Sequence, residues 1–161
     1  MHVTFTPAAE ADLPELLAMA RAASQAPGSH WSIDYPNLEI LREDLAHNAL
    51  YQIEDLNGRL IGLIAMGQMG ELRDLSWTVT DSSACELSRL GLHPDCQGQG
   101  LLAPVLSQAV AYCQGLGYRT FRLLVSTDFD RAIRTYQRYG FVRTGQVHLW
   151  DEDFYQYEYA L

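Results

Sequence analysis

Apolar positions along the chain change period several times, from alternation to helical spacing and back. Val3 and Phe5 alternate with polar residues and predict a first strand, closed by Pro7. Asp12 stands where it can cap a helix with Pro14 in the first turn, and Leu13, Leu16, Leu17 and Ala20 follow at helical spacing. The turn-rich stretch from Ala26 to Pro36 ends that helix. Asn37 then caps a second one carrying Leu38, Ile40, Leu41 and Leu45. Leu50 to Ile53 and Leu60 to Met66 read as strands flanking Asn57-Gly58, the best hairpin signal in the chain. Glu86 to Leu92 is a further strand, followed by a helix from Leu101 to Leu116. Pro104 has no N–H to donate, so that helix begins near Gly100 and not earlier. Thr120 to Val125 is the next strand. Asp128 can cap a short helix that places Phe129, Ala132, Ile133 and Tyr136 on one face and stops at Gly140. The tail reads as two strands around Asp151-Glu152-Asp153, with Tyr155, Tyr157 and Tyr159 alternating onto one face. Helices mixed with an early and a late antiparallel hairpin indicate an α+β fold on a mixed sheet.

Composition narrows the class without naming a function. The 161 residues, with no internal repeat, linker or low-complexity tract, predict one domain spanning 1–161. At this size roughly 70% of the unfolded surface can be buried. No apolar run reaches the ~18 to 20 residues of a membrane span, and the N-terminus lacks a signal-peptide layout. Three cysteines cannot all pair within the chain, which points to a reduced, cytoplasmic setting. A formal charge of -9 argues against a nucleic-acid partner; it suits a cationic small-molecule or peptide acceptor, though an acidic balance more often serves plain solubility.

The chemistry concentrates between Glu86 and Tyr118, where strand, glycine-containing turn and helix follow one another. Such a joint leaves backbone N–H groups unpaired at the positive end of a helix dipole, a socket for phosphate. Gln97-Gly98-Gln99-Gly100 lacks the lysine and Ser/Thr of a P-loop and the third glycine of a dinucleotide fingerprint. With LGLHPDCQGQG, the long helix, the next strand and AIRTYQRYGF, however, it resembles the GNAT superfamily of acyl-CoA-dependent N-acyltransferases. VTFTPAAEADLPELLAMA and LYQIEDLNGRLIGLIAM also look like that family's first strand and helix and its second and third strands. The resemblance implies a mostly antiparallel sheet of about seven strands flanked by about four helices. It implies acetyl-CoA as cosubstrate, no metal, and direct attack by a primary amine in a ternary complex. A CoA-binding sensor or regulatory module without turnover is the alternative.

The family's glycine turn, Gln/Arg-x-x-Gly-x-Gly/Ala, falls on Gln97, Gly98, Gln99, Gly100, Leu101 and Leu102, whose N–H groups would hold the pyrophosphate. Leu90 and Leu92 would offer backbone groups to the pantetheine arm, with the oxyanion met by an N–H near Leu92. Two residues depart from the pattern: Leu102 replaces a Gly/Ala, and Phe129 stands where the family often has an asparagine near the pantetheine. The resemblance places the proton donor for the leaving thiolate on Tyr136, which on its own spacing is equally a core aromatic. Glu86 matches the family's carboxylate base; otherwise it is a strand-end carboxylate or one that only positions water. His30, His93 and His148 have reference pKa values suited to proton transfer, and no His/Cys/carboxylate spacing suggests a metal. Acceptor selection is expected from the loop Gly28 to Tyr35 and from Trp150 to Tyr155. There Trp31 and Tyr35 either cover a cation or anchor the loop, and Asp34 can pair with a positive charge. The tyrosine-rich last strand either finishes a monomer's sheet or pairs across a homodimer.

Overall fold

The computed structural model describes residues 2–26, 29–80 and 83–161. In chain order its elements are β1 (Thr4–Pro7), α1 (Leu13–Ser24), α2 (Leu38–Ala46), β2 (Leu50–Glu54), β3 (Leu60–Gly67), β4 (Ala84–Leu92), α3 (Leu102–Gly115), β5 (Thr120–Ser126), α4 (Asp130–Tyr139), β6 (Val142–Leu149) and β7 (Glu152–Ala160). The strands form one seven-stranded sheet in the order β1-β2-β3-β4-β5-β7-β6. Only β4 and β5 run parallel, and α3 supplies the crossover that a parallel pair requires. The expected mixed, mostly antiparallel α+β architecture is the one found.

Each face of the sheet has its own core. Val105, Leu106 and Cys113 of α3 and Ala132 and Tyr136 of α4 pack on Leu87, Phe121, Leu123 and Tyr157. On the opposite face Leu13, Leu16 and Ala20 of α1 and Leu41 of α2 close on Leu50 and Leu63. Tyr155, Tyr157 and Tyr159 do lie on one face, toward the α3 and α4 core. Their strand, β7, is flanked by β5 and β6, so it has no free edge for pairing across a dimer; the free edge on that side belongs to β6.

Most element ends fall where the punctuation residues put them. Asn37 Oδ1 accepts the Ile40 N–H at the start of α2, and Gly140 takes the left-handed conformation that ends α4 (φ 114°). Two expected caps are absent. Asp12 accepts instead from the Ala9 N–H and closes a short 3₁₀ turn before α1. Asp128 receives the Ser126 hydroxyl, and Phe129 occupies the cap position of α4 without a side-chain bond. Both carboxylates found a nearer donor than the helix N–H groups.

The segment from 68 to 80 folds back over the sheet on the α1 and α2 side. Trp77, buried, donates its indole N–H to the Leu72 carbonyl (2.6 Å), and the Arg122 guanidinium lies 5.0 Å from its ring. Glu158 of β7 accepts the N–H groups of Thr78 and Val79. Burial alone would raise that carboxyl, but hydrogen bonds from Thr144, Thr78 and Val79 outweigh it and hold it below the ordinary carboxylate range. Among the described residues no helix is long and apolar enough to cross a membrane.

Candidate active site

β4 pairs with β5 along its first half and with β3 from Glu86 onward, so its second half has one neighbour. Ala84 to Leu87 pair with Thr120 to Leu123 of β5, and there the pairing stops. β5 runs on to Ser126 against β7, while β4 runs on to Leu92 against β3, so the two strands part. A register shift marks the point of parting: Ala65 faces Arg89 but Met66 faces Leu87, leaving Ser88 as the extra residue of a bulge. The Ser88 hydroxyl is buried there without a hydrogen-bond partner. Beyond the bulge, His93 N–H donates to Ile61 of the β3 side. Backbone groups alternate in direction along a strand, so Gly91 also faces β3, whereas Leu90 and Leu92 turn their N–H and C=O toward the opening. Their side chains pack on the α3 core.

The glycine turn follows at once. Gly98 (φ 72°) and Gly100 (φ 73°) both occupy the left-handed region, which admits glycine at no steric cost. The turn is exposed, and the side chains of Gln97 and Gln99 bend back onto the Leu92 and Asp95 carbonyls (3.0 and 2.6 Å). Gln97 N–H is used within the turn by the Pro94 carbonyl. No acceptor among the described residues takes the N–H groups of Gly98 through Ala103, and α3 starts without a side-chain cap. Six successive residues thus leave an anion site at the head of a helix. Leu101 is buried and Leu102 packs on the α3 core, so the bulk that departs from the family pattern points inward.

Tyr136 lies on α4 with its ring 5.5 Å from Phe141 and 6.2 Å from Tyr157. Burial pushes its phenol up to about 12. The residue is only 5% exposed, and no hydrogen bond to its hydroxyl is found among the described residues. Phe129 is 41% exposed at the head of the same helix, its ring 5.5 Å from that of His30.

Glu86 falls in the paired half of β4. One oxygen accepts the Gly70 N–H (3.1 Å), and the other accepts from buried Arg122 of β5 (3.2 Å). Arg122 is held in turn by the Val79 carbonyl and the Trp77 ring. A second buried cation, Arg89, binds Asp44 of α2 with two nitrogens and also reaches Glu71 and the Tyr35 hydroxyl (3.1 Å). Burial opposes charge on Arg89, but its bonds to Asp44 and Glu71 outweigh that and raise its pKa.

The acceptor-loop candidates separate into two kinds. Trp31 lies over Gly91 of β4, where any Cβ would overlap its ring; Tyr35 is tied to Arg89. Both contacts tie the loop to β4. Asp34 is exposed, with no partner for its carboxylate among the described residues. Gly28, the first residue of that loop, lies outside the described residues. Arg89, Ser88 and Gly91 went unread in the sequence, although an arginine and a glycine inside an apolar strand are a visible signal for a buried partner and a close approach.

The model of the acetyltransferase (GNAT) family matches residues 14–141. The chain belongs to the GNAT family. Among curated proteins, mycothiol acetyltransferase of Actinosynnema mirum is 33% identical over 82 residues, covering 50% of this chain and 28% of that protein. The enzyme of that name from Paenarthrobacter aurescens is 30% identical over 97 residues, covering 56% and 28%. This GNAT chain thus spans little more than a quarter of those relatives. Its fold matches a chimera of the Vibrio cholerae spermidine N-acetyltransferase SpeG and hSSAT, with a TM-score of 0.76 at 17% identity over 99% of this chain and 96% of that one. It also matches an N-acetyltransferase of Staphylococcus aureus Mu50, with a TM-score of 0.71 at 17% identity over 99% of both chains.

Proposed function

We propose that the protein transfers an acetyl group from acetyl-CoA to a primary amine of a small molecule or peptide by direct attack in a ternary complex. The observation that carries this reading is the parting of β4 and β5 immediately before a turn of unpaired N–H groups. An open strand edge and an anion site in series suit an amide-containing arm that ends in a pyrophosphate. Acetyl-CoA supplies the activated thioester. The N–H groups from Gly98 to Ala103 bind its diphosphate, and Leu90 and Leu92 bind the arm through main-chain groups. Gln97 contributes by bracing the turn, and Phe129 lines the far end.

Tyr136 Oη keeps its proton well past neutral pH and gives it to the departing sulfur, while an N–H near Leu92 meets the developing negative oxygen. Glu86, with both oxygens engaged, holds β4 against β5 instead of taking the proton itself; the proton lost by the attacking amine passes to solvent water, which returns one to Tyr136. Asp34 offers its carboxylate to a cationic acceptor, and Trp31 and Tyr35 fix the loop that carries it. Three free, buried cysteines accord with a reducing cytoplasm.

Thiol release from acetyl-CoA across a panel of primary amines tests the reading, run beside a thermal melt with CoA. Turnover with at least one amine and a melting shift of about 2.7 kcal/mol at ~100 Kd are expected. A shift without turnover would mean a sensor. No shift would remove the cofactor assignment.

A further inference from the structure

Cys85 and Leu87 of β4 pack on the α3 core, and regular alternation would put residue 89 on that face with them. The extra residue at Ser88 breaks the alternation. Leu90 and Leu92 take the α3 face, while Arg89 and Gly91 turn to the other face, against Asp44 of α2 and Trp31. The bulge therefore does two things at once. It sits where β4 and β5 part, and it aims a buried guanidinium at the face of α1 and α2.

Each of the five N–H groups of Arg89 has an acceptor there. Nε and Nη2 bind the two oxygens of buried Asp44, the former at 2.6 Å. Nη2 also reaches Glu71 Oε1 at 2.8 Å. Nη1 reaches Glu71 Oε2 at 3.4 Å and the Tyr35 hydroxyl oxygen at 3.1 Å. One planar group thus joins α2, the segment from 68 to 80 and the loop after α1. A lysine, with three donors on a single nitrogen, could not span these partners. Because the Tyr35 oxygen accepts from Arg89, its own hydrogen is left to donate, and no acceptor among the described residues takes it. Tyr35 is 37% exposed, so that hydrogen is within reach of a bound molecule.

From this geometry we infer that Arg89 is the positioning residue of the acceptor side, holding the Tyr35 hydroxyl and the loops 29–36 and 68–80 against the open half of β4. The inference rests on the acyl-transfer reading. In that reading the diphosphate of the cofactor meets the turn at the head of α3, which leaves the face of α1 and α2 to the amine. The lone pair of the attacking nitrogen must stay free, so Tyr35 donates to a second polar atom of the acceptor. Two carboxylates around one guanidinium leave this cluster net negative, which disfavours an anionic group beside it. The partner that fits is an uncharged hydroxyl or carbonyl oxygen on the acceptor.

Steady-state kinetics on a confirmed amine, beside hydrogen exchange of the full chain, test it. Arg89→Lys keeps the charge and loses the fork. Acceptor KM is expected to rise about tenfold or more, with KM for acetyl-CoA and the melting shift with CoA unchanged. Tyr35→Phe should raise acceptor KM about three- to tenfold, the equivalent of one hydrogen bond. The two changes together should cost less than the product of each alone, since one acts through the other. Amides of 29–36 and 68–80 should exchange faster in Arg89→Lys, while those of α3 keep their rates. Should Arg89→Lys lose its melting transition, Tyr35→Phe, a change at an exposed ring, still decides. Should the unaltered chain turn over no amine, the acyl-transfer reading fails, and loop exchange in Arg89→Lys alone decides whether Arg89 holds the loops. Equal rises in both KM values, Tyr35→Phe without effect on acceptor KM, or unchanged loop exchange would each overturn the inference.

Discussion

The two halves of β4 are built from adjacent residues and behave as different structures. From Ala84 to Leu87 the strand is paired with β5, with β3 joining on the other side at Glu86 and Leu87, and its one polar side chain is matched by a charge on the neighbouring strand. From Ser88 to Leu92 it keeps only β3, and its polar contributions are a lone hydroxyl, a buried arginine and backbone groups turned toward open space. A single bulge residue separates the two. Satisfied pairing makes the first half a hinge line on which the sheet is held. Withheld pairing makes the second half a surface that can accept another molecule. On the proposed function, chemistry belongs to the open half and to what faces it, and structure to the closed half.

The largest effect should come from Tyr136, the candidate proton donor for the open half. Tyr136→Phe keeps the ring among Phe141 and Tyr157 and removes only the hydroxyl. On a confirmed acceptor kcat should fall about 10² to 10⁴-fold, with the melting temperature little changed. An unchanged kcat would return Tyr136 to the core. The phenol also has a stability signature. Burial raises its folded pKa from 10.0 to about 12, so the unfolded chain loses the proton first. The contribution is complete below pH 10 and is lost as pH rises toward 12; Tyr136→Phe should abolish that alkaline loss.

Glu86 probes the closed half. Glu86→Gln leaves buried Arg122 without its counter-charge, and a loss of roughly 3–5 kcal/mol is expected in denaturant melts. Under conditions where the variant is folded, kcat should stay within about tenfold of the original if the carboxylate braces the strands, as proposed. A fall of ~10² or more, with the acid limb of the pH profile displaced, would make Glu86 the base and break the division between the halves.

Much of this plan was legible because it rests on local rules. Period changes place the strands and helices, Asn37 and Gly140 act where their chemistry says, and glycines at 98 and 100 take positive φ as the turn requires. What could not be read is set by partners distant in sequence. Whether Trp31 covers a substrate or anchors a loop depends on Gly91, sixty residues on, which leaves room for its ring. Whether Glu86 is free depends on Arg122 and on a loop, 68 to 80, with little periodicity to read. Asp128 looked like a cap because capping is local; the donors that claimed it come from Ser126 and from the loop at His30.

The smallest effect is expected at the junction itself. Ser88 Oγ is a buried hydroxyl with no partner, and such a group costs stability where it stands. Ser88→Ala should therefore melt at the same temperature or slightly higher, a gain of up to about 1 kcal/mol. Ser88 stands at the bulge where the strands part, and its hydroxyl is expected to find a partner only when the opening is filled. The same variant should lose about three- to tenfold in kcat/KM for the acyl donor, the equivalent of one ordinary hydrogen bond. Higher stability with weaker turnover would mark a group held unsatisfied for a ligand. Lower stability with unchanged turnover would show that Ser88 serves the bulge alone, and the boundary between the halves would then be purely structural.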